Sequence, residues 1–540
     1  MQALVNLFGK VEKFLFPIVA GINEYLSSYI LIFLLIGVGL WYTIKTRFVQ
    51  VRCFGEGMRK VFGNISLKGE KQEKGMTSFQ ALATAIAAQV GTGNIIGASG
   101  AILIGGPGAI FWMWVIAFFG MATIYAEATL AIKTRSTSQK GNIKGGPVYY
   151  ITTAFKGGFG KFLAGFFAVA TILALGFMGC MVQSNSIGST MSTAFGIPSW
   201  AVGLVLVVLC GIIFLGGVKR LASVTEKIVP VMACIFLLGG LVVLAIRIKY
   251  IPATIGMIFK YAFNAKAILS GTIIEAIVLA VSQGAKRGLF SNEAGMGSTP
   301  HAHAQANVKD PHEQGVAAMI GVFIDTFIVL TMTALVVIST LYAGNGILSK
   351  GGDKVTYINS KHEIVNVVDM KEYNEKVEAS KTKDGENIFA SSIKKDNYDG
   401  FKDAKSVVID NEGKITEQVS KTNMAQWSFS GIMGTKFGAI FVAICLFFFA
   451  FSTILGWNLF GKINANYLFG NKKPELCTAI YSIIALVFIF IGTLVSNELV
   501  WELTDMFNNL MVIPNAIALF ALTAMVVSST KKRDGSPLKK

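Results

Sequence analysis

A chain of 540 residues that is 53% hydrophobic and only 15% charged, with a mean hydropathy of +0.58, is not a soluble globular protein; in those, roughly a quarter of the residues carry charge. Its many apolar runs of about 20 residues require a polytopic helical membrane protein instead. The net charge of +17 does not signal nucleic acid, because the basic residues cluster in short loops between apolar runs, which is a topology signal.

Eleven spans are expected, over residues 17–43, 78–104, 108–132, 160–194, 199–218, 227–248, 268–306, 315–343, 434–463, 475–496 and 499–528. The loop after the first carries Lys45, Arg47, Arg52, Arg59, Lys60, Lys68, Lys71 and Lys74. The loop after the third carries Lys133, Arg135, Lys140 and Lys144, and the loop after the fifth carries Lys219, Arg220 and Lys227. The tail, 531–540, is basic too. Alternate loops are therefore basic, which predicts a cell-membrane protein with its N-terminus outside and its C-terminus in the cytoplasm; Arg247 and Lys249 are exceptions. No cleavable signal peptide is expected, since no charged segment followed by a short apolar core opens the chain. Residues 344–430 hold 13 Lys and 14 Asp plus Glu, which nearly cancel, and no apolar run long enough to span. They are expected to form an extracellular insertion with some β structure at Val355–Val368 and Ser406–Ile415.

Two spans are interrupted. The second breaks at Val90-Gly91-Thr92-Gly93-Asn94 and the seventh at Phe290–Ser298. In lipid a broken helix survives only where its freed amides and carbonyls line a protected cavity. Matching breaks in two halves of a chain point to a solute site near the bilayer midplane. The breaks are five spans apart, an odd number, so the halves enter the membrane in opposite directions. That predicts an inverted repeat built from 76–248 and from 268–343 with 431–530, the segment 1–44 being an additional helix and 344–430 an insertion.

Amides released after a break suit a carboxylate, and carbonyls released before it suit a hard cation such as Na⁺. The alternative is a notch for close helix packing, since Gly91 and Gly93 also allow close approach, but the flanking Thr92 and Asn94 and the counterpart break favour the ligand reading. Glu293, inside the second break, is an ionisable group at membrane depth and hence a functional candidate. Lys286 and Arg287 lie just before it, so a structural ion pair is the alternative. Asp325 is a further acid that could pair with Lys286 or Arg287; Glu127 and Glu275 are two more. Ser452 and Thr453 could ligate a cation or bond back to the preceding helical turn. Trp457 could cap a small pocket or simply pack, and Gln183 and Asn185 are amides that need partners. The six cysteines are solitary, and His301-Ala302-His303 with His312 makes no defensible metal motif, so no structural metal, disulfide framework or cofactor is expected. No nucleophile–base arrangement stands out, which argues against an enzyme.

The stretches Ser78–Gly97, Gly105–Trp114, Gly120–Leu130, Gly145–Pro147, Lys286–Gly297 and Ser452–Trp457 resemble the alanine or glycine:cation symporter family. That family is similar in fold to the leucine-transporter (LeuT) type. The resemblance implies an all-α membrane protein of about eleven helices, with a five-plus-five inverted repeat, two broken helices and one extra N-terminal helix. It also implies Na⁺-coupled uptake of alanine or glycine. Thr92 and Gly93 would hold the amino-acid backbone, and Gln183, Phe290 and Trp457 would line the pocket. Asn94, Ser291, Asn292 and Gly295, in the same breaks, are further substrate candidates. Sodium would be held by the carbonyls of Ala87, Val90 and Phe449 and the hydroxyls of Ser452 and Thr453. Glu293, Lys286, Arg287 and Asp325 are expected to gate or couple. The expected partners are the amino acid, Na⁺ (or H⁺) and the bilayer, with no nucleic acid and no obligatory protein partner. Two rivals remain: coupling to H⁺ through Glu293 or Asp325, and a nutrient receptor that binds without translocating and signals through 344–430.

Overall fold

The computed structural model describes residues 14–23, 25–63, 75–137, 143–263, 273–344, 354–358, 364–369, 406–409, 415–418, 421–470, 473–495 and 497–530. The basic tail, most of the polar insertion, residues 268–272 of the seventh span and the side chain of Glu275 lie outside the described residues.

The helices in chain order are α1 (Phe14–Asn23), α2 (Ile32–Lys45), α3 (Phe54–Phe62), α4 (Ser78–Gln89), α5 (Gly93–Gly105), α6 (Ala109–Thr134), α7 (Pro147–Ala154), α8 (Gly157–Phe195), α9 (Ser199–Leu215) and α10 (Gly217–Ile246). They continue with α11 (Ile251–Phe263), α12 (Ile273–Asn292), α13 (Pro300–His303), α14 (Pro311–Tyr342), α15 (Met424–Met433), α16 (Thr435–Phe469), α17 (Pro474–Gly492), α18 (Asn497–Ala521) and α19 (Thr523–Ser529). Among the described residues six of these, α6, α8, α10, α14, α16 and α17, are long and apolar enough to cross a membrane. The number rises to eight if two bent pairs each form one span: α4 with α5, bent by 45°, and α18 with α19, bent by 65°. The other three expected spans coincide with shorter apolar helices (α1 with α2, and α9) and with α12, so length and apolarity alone do not establish eleven.

Local chemistry sets several boundaries. Helix α4 starts at a reciprocal cap: the Gln80 amide donates to Thr77 Oγ1 at 3.0 Å and the Thr77 amide to Gln80 Oε1 at 3.1 Å. Helix α14 starts with Pro311 behind Asp310, whose carboxylate accepts from the His312 amide at 3.0 Å. In their apolar windows α6 and α16 are each 67% buried, whereas α10 and α17 are 33% and 28% buried. The first two are therefore central. The last two turn residues such as Leu238, Leu241, Ile483 and Val487 outward, as a lipid-facing helix should.

Within the insertion, four short strands form a sheet in the order Ile364–Asp369, Lys354–Ile358, Ser406–Ile409, Ile415–Gln418. The outer pairs are antiparallel and the middle pair is parallel. The insertion ends earlier than 430: α15 packs on α16 with Ser428 and Phe429 fully buried, so this stretch belongs to the helical body.

Candidate functional site

Helix α4 loses its regular path at Val90, whose backbone sits at φ −78° and ψ 84°. The side chain of Asn94 crosses the gap: its Oδ1 accepts from the Gly91 amide at 3.0 Å, and its Nδ2 donates to Asp325 Oδ1 at 2.7 Å. The Thr92 amide donates to Gln183 Oε1 at 3.2 Å. Two polar atoms at this spot, Thr92 Oγ1 and Gln183 Nε2, are buried and have no hydrogen-bond partner among the described residues. Both atoms can therefore form a further hydrogen bond without breaking one they already make.

The second break follows Asn292. Three residues at alternate positions take left-handed backbone angles: Glu293 (φ 57°), Gly295 (φ 92°) and Gly297 (φ 77°). Glycine accepts that region freely, whereas glutamate is strained there and must be held. Its carboxylate is held on both oxygens, by Ser298 Oγ and by the indole Nε1 of Trp457. The amides of Gly295 and Gly297 donate to Glu127 of α6 at 3.3 and 3.1 Å, and Asn515 of α18 bonds both Glu127 and the Gly295 carbonyl. Glu127, to which the sequence pattern assigned no role, thus satisfies the amides that unwinding releases.

The breaks meet. Gln89 Nε2 donates to the Asn292 carbonyl at 2.7 Å. Asp325 accepts from Asn94 on one side and from Ser291 Oγ, at 2.9 Å, on the other, with Thr326 Oγ1 at 2.8 Å. A Cβ on Gly93 would stand 2.9 Å from Ser291 Cα and 3.1 Å from the Phe290 ring, so this glycine is the notch that lets the two broken helices touch. Ser291, Asn292 and Gly295 are engaged in this internal scaffolding. Asn185 is likewise engaged, on the carbonyls of Gly492 and Val495 at the end of α17.

The five expected sodium ligands stand together where the end of α4 faces α16. Thr453 Oγ1 is 2.9 Å from the Ala87 carbonyl, 3.5 Å from that of Val90 and 3.0 Å from that of Phe449. Ser452 Oγ is 3.4 Å from the Ala87 carbonyl and 2.9 Å from that of Phe449. Three carbonyls and two hydroxyls make an all-oxygen set of the kind hard cations take. Gly91 is needed here, because a Cβ would lie 2.4 Å from Thr453 Oγ1.

Aromatic residues cover the second break. Phe290 meets Trp457 edge-on at 5.9 Å and Trp501 at 4.7 Å. Against Trp501 lie the Arg287 guanidinium at 4.7 Å and Lys421 Nζ at 4.9 Å. Lys286 and Arg287 pair with neither Glu293 nor Asp325. They reach α18, where Asp505 Oδ2 lies 3.0 Å from Lys286 and 3.2 Å from Arg287. At Oδ2 these contacts are purely ionic, while Arg287 Nη1 donates a hydrogen bond to Asp505 Oδ1 at 3.4 Å. Lys286 also lies 3.4 Å from Glu502. Trp501, Glu502 and Asp505 were missed in sequence, although the cluster Trp501-Glu502-Leu503-Thr504-Asp505 inside an apolar span was a signal.

A family profile described as the sodium:alanine symporter family matches residues 12–367 and 404–535. The chain belongs to that family. The sodium/alanine symporter AgcS of Methanococcus maripaludis is 36% identical over 512 residues, 94% of this chain and 95% of its own. The putative sodium/proton-dependent alanine carrier protein YrbD of Bacillus subtilis is 36% identical over 513 residues, 95% of this chain and 91% of its own. A crystal structure of a manganese transporter from Eremococcus coleocola aligns with a TM-score of 0.45 and 13% identity, covering 86% of this chain and 81% of that one. Family membership makes this protein a multi-pass transporter of the cation-coupled amino-acid symport class.

Proposed function

We propose that this member couples the inward movement of Na⁺ to uptake of a small neutral amino acid, alanine or glycine, across the cell membrane. The observation that carries the reading is the oxygen cluster of Ala87, Val90, Phe449, Ser452 and Thr453, which spans the end of the first break and the neighbouring α16. Beside it, across Gly91, lie the unpartnered Thr92 Oγ1 and Gln183 Nε2. A cation there would neutralise the carbonyls exposed by the break, and the amino acid's polar groups would take the unpartnered atoms. Phe290 and Trp457 would restrict side-chain size. In this reading the N-terminus is outside, 76–248 and 268–343 with 421–530 are inverted halves, and 344–420 is an outer insertion, since Ser428 and Phe429 are buried in the helical body. The names of both relatives, with alanine as the cargo, agree with it.

Coupling to H⁺ is the second reading. Its support is that Glu127, Glu293 and Asp325 are fully buried around the breaks, and none is in a salt bridge with a described lysine or arginine. Radiolabelled alanine uptake into proteoliposomes, driven separately by Na⁺ and H⁺ gradients, distinguishes the two. Uptake that follows only the proton gradient, or no uptake at all, overturns the sodium reading.

A further inference from the structure

At the end of α2 the chain makes a sharp elbow, and Arg47 and Phe48 are both left-handed at φ 55° and 57°. Two consecutive non-glycine residues in that region store strain, which tends to persist where the surrounding structure has a use for it. The elbow delivers Cys53 and, one helical turn on, Glu56 against the start of α14. There the Sγ of Cys53, a carboxylate oxygen of Glu56 and a ring nitrogen of His312 all lie within 4.8 Å of one another. His312 Nε2 is 3.3 Å from Glu56 Oε2. Its other nitrogen, Nδ1, is 2.7 Å from the hydroxyl of Tyr125, which in turn lies 3.2 Å from Thr530 Oγ1.

We propose that Cys53, Glu56 and His312 form a binding site for a thiophilic divalent cation of the zinc type, separate from the transport site and lying at the basic-loop face of the protein. Sulfur, nitrogen and oxygen ligands in a set of three, with one position left for water, are the donors zinc takes. With metal–ligand bonds of about 2.0–2.3 Å the ligand atoms would stand roughly 3.3–3.8 Å apart; the His312–Glu56 pair is already at 3.3 Å, and the thiol would close in by at most about 1.5 Å. The His312–Tyr125 bond is the outer contact that orients a ligating imidazole, leaving Nε2 as the donor atom. Cys53 and His312 are buried, while the side chain of Glu56 is 30% exposed and gives the ion a way in. Neighbouring cations are already engaged: Lys60 pairs with Glu313 at 2.8 Å, and Arg52 bonds the Thr46 and Arg47 carbonyls. On binding, the Cys53 thiol releases its proton to solvent. Sequence spacing could not reveal this site, because its histidine is 256 residues from its glutamate.

A metal there would fasten the elbow to α14, the helix that carries Asp325 between the two breaks, and would slow any movement of one against the other. The test uses the full-length protein in detergent, with Co²⁺ as the spectroscopic probe and Zn²⁺ as the competitor. The expected result is a thiolate-to-cobalt absorption band that Zn²⁺ abolishes at one equivalent. Cys53→Ala should remove the band, and Cys234→Ala, on the exposed face of α10, should keep it. Tyr125→Phe should weaken binding about 10- to 100-fold, the usual effect of losing an outer-shell partner. Absence of the band in the parent protein, or its persistence in Cys53→Ala, overturns the site. In proteoliposomes, Zn²⁺ on the basic-loop side should slow amino-acid uptake, reversibly with chelator, and Cys53→Ala should be insensitive. Binding without slowing overturns the fastening role. The cobalt band depends on no assumption about cargo, so this inference and the proposed function fail separately.

Discussion

Replacing Thr453 with valine keeps the side-chain volume and removes a single oxygen. That oxygen lies within 3.5 Å of three backbone carbonyls, those of Ala87, Val90 and Phe449, and is one of five protein oxygens in the cluster. An interaction of hydrogen-bond type with a charged group is worth about 1.5–3 kcal/mol. At 1.4 kcal/mol per decade, the apparent Na⁺ affinity should fall about 10- to 140-fold. Maximal uptake at saturating Na⁺ should fall much less, because the substrate atoms are untouched. Thr453→Ser returns the oxygen and should return most of the affinity, although it loses a methyl group. The assay is the Na⁺ dependence of alanine uptake in proteoliposomes, paired with the Na⁺-induced rise in Tm of the purified protein. If valine leaves both unchanged, or if serine and valine behave alike, the hydroxyl is only bonded back to its own helix and the site assignment fails.

Trp457→Phe keeps a ring against Phe290 but deletes the indole donor to Glu293; the lost bond should cost about 1–3 kcal/mol, read as a lower Tm with reduced uptake, and unchanged values would show that the bond does nothing. Gly93→Ala would press on the backbone of Ser291, so thermal stability and alanine affinity should fall together; intact stability with lost binding would place the new methyl against the substrate instead. Replacing residues 351–420 with a short Gly/Ser linker should preserve uptake, since closure entropy grows slowly with length. Extending the cut through Lys421 removes a cation from Trp501 and should lower uptake, and equal activity of the two deletions would exclude a role for that contact. Asp505→Asn leaves the buried Arg287 with a weakened partner, Lys286 keeping Glu502, and should destabilise by about 3–5 kcal/mol; a Tm within a degree of the parent protein would contradict the ion-pair geometry.

Both breaks were legible in the sequence because glycine and polar residues disrupt an apolar helix at a cost that lipid cannot offset and a lined cavity can. The oxygen set around Thr453 was legible through resemblance, and its members do stand together. The pairing of buried charges was not. Lys286 and Arg287 had Glu293 as a sequence neighbour, yet they turn to Asp505, 218 and more residues away. Glu127 and Asn515 meet across 388 residues. Central helices such as α6 and α16 are apolar on every side, so no amphipathic stripe says which face a polar residue occupies. The same uniformity left the count of spans dependent on where short apolar helices are taken to begin.

Glu127 has a consequence for how the molecule can move. The Gly295 and Gly297 amides are free to meet its carboxylate only while the chain after Asn292 stays unwound. If that segment coiled into a continuous helix, its amides would turn inward to carbonyls of their own turn, and Glu127 would be stranded in an apolar interior with Asn515 as its remaining donor. Stranding a carboxylate costs far more than a few helical hydrogen bonds return. The second break is thus a welded joint with a constant angle, and α6, α12 and α18 share its rigidity. Winding that segment into a continuous helix would have to take both amides away from Glu127.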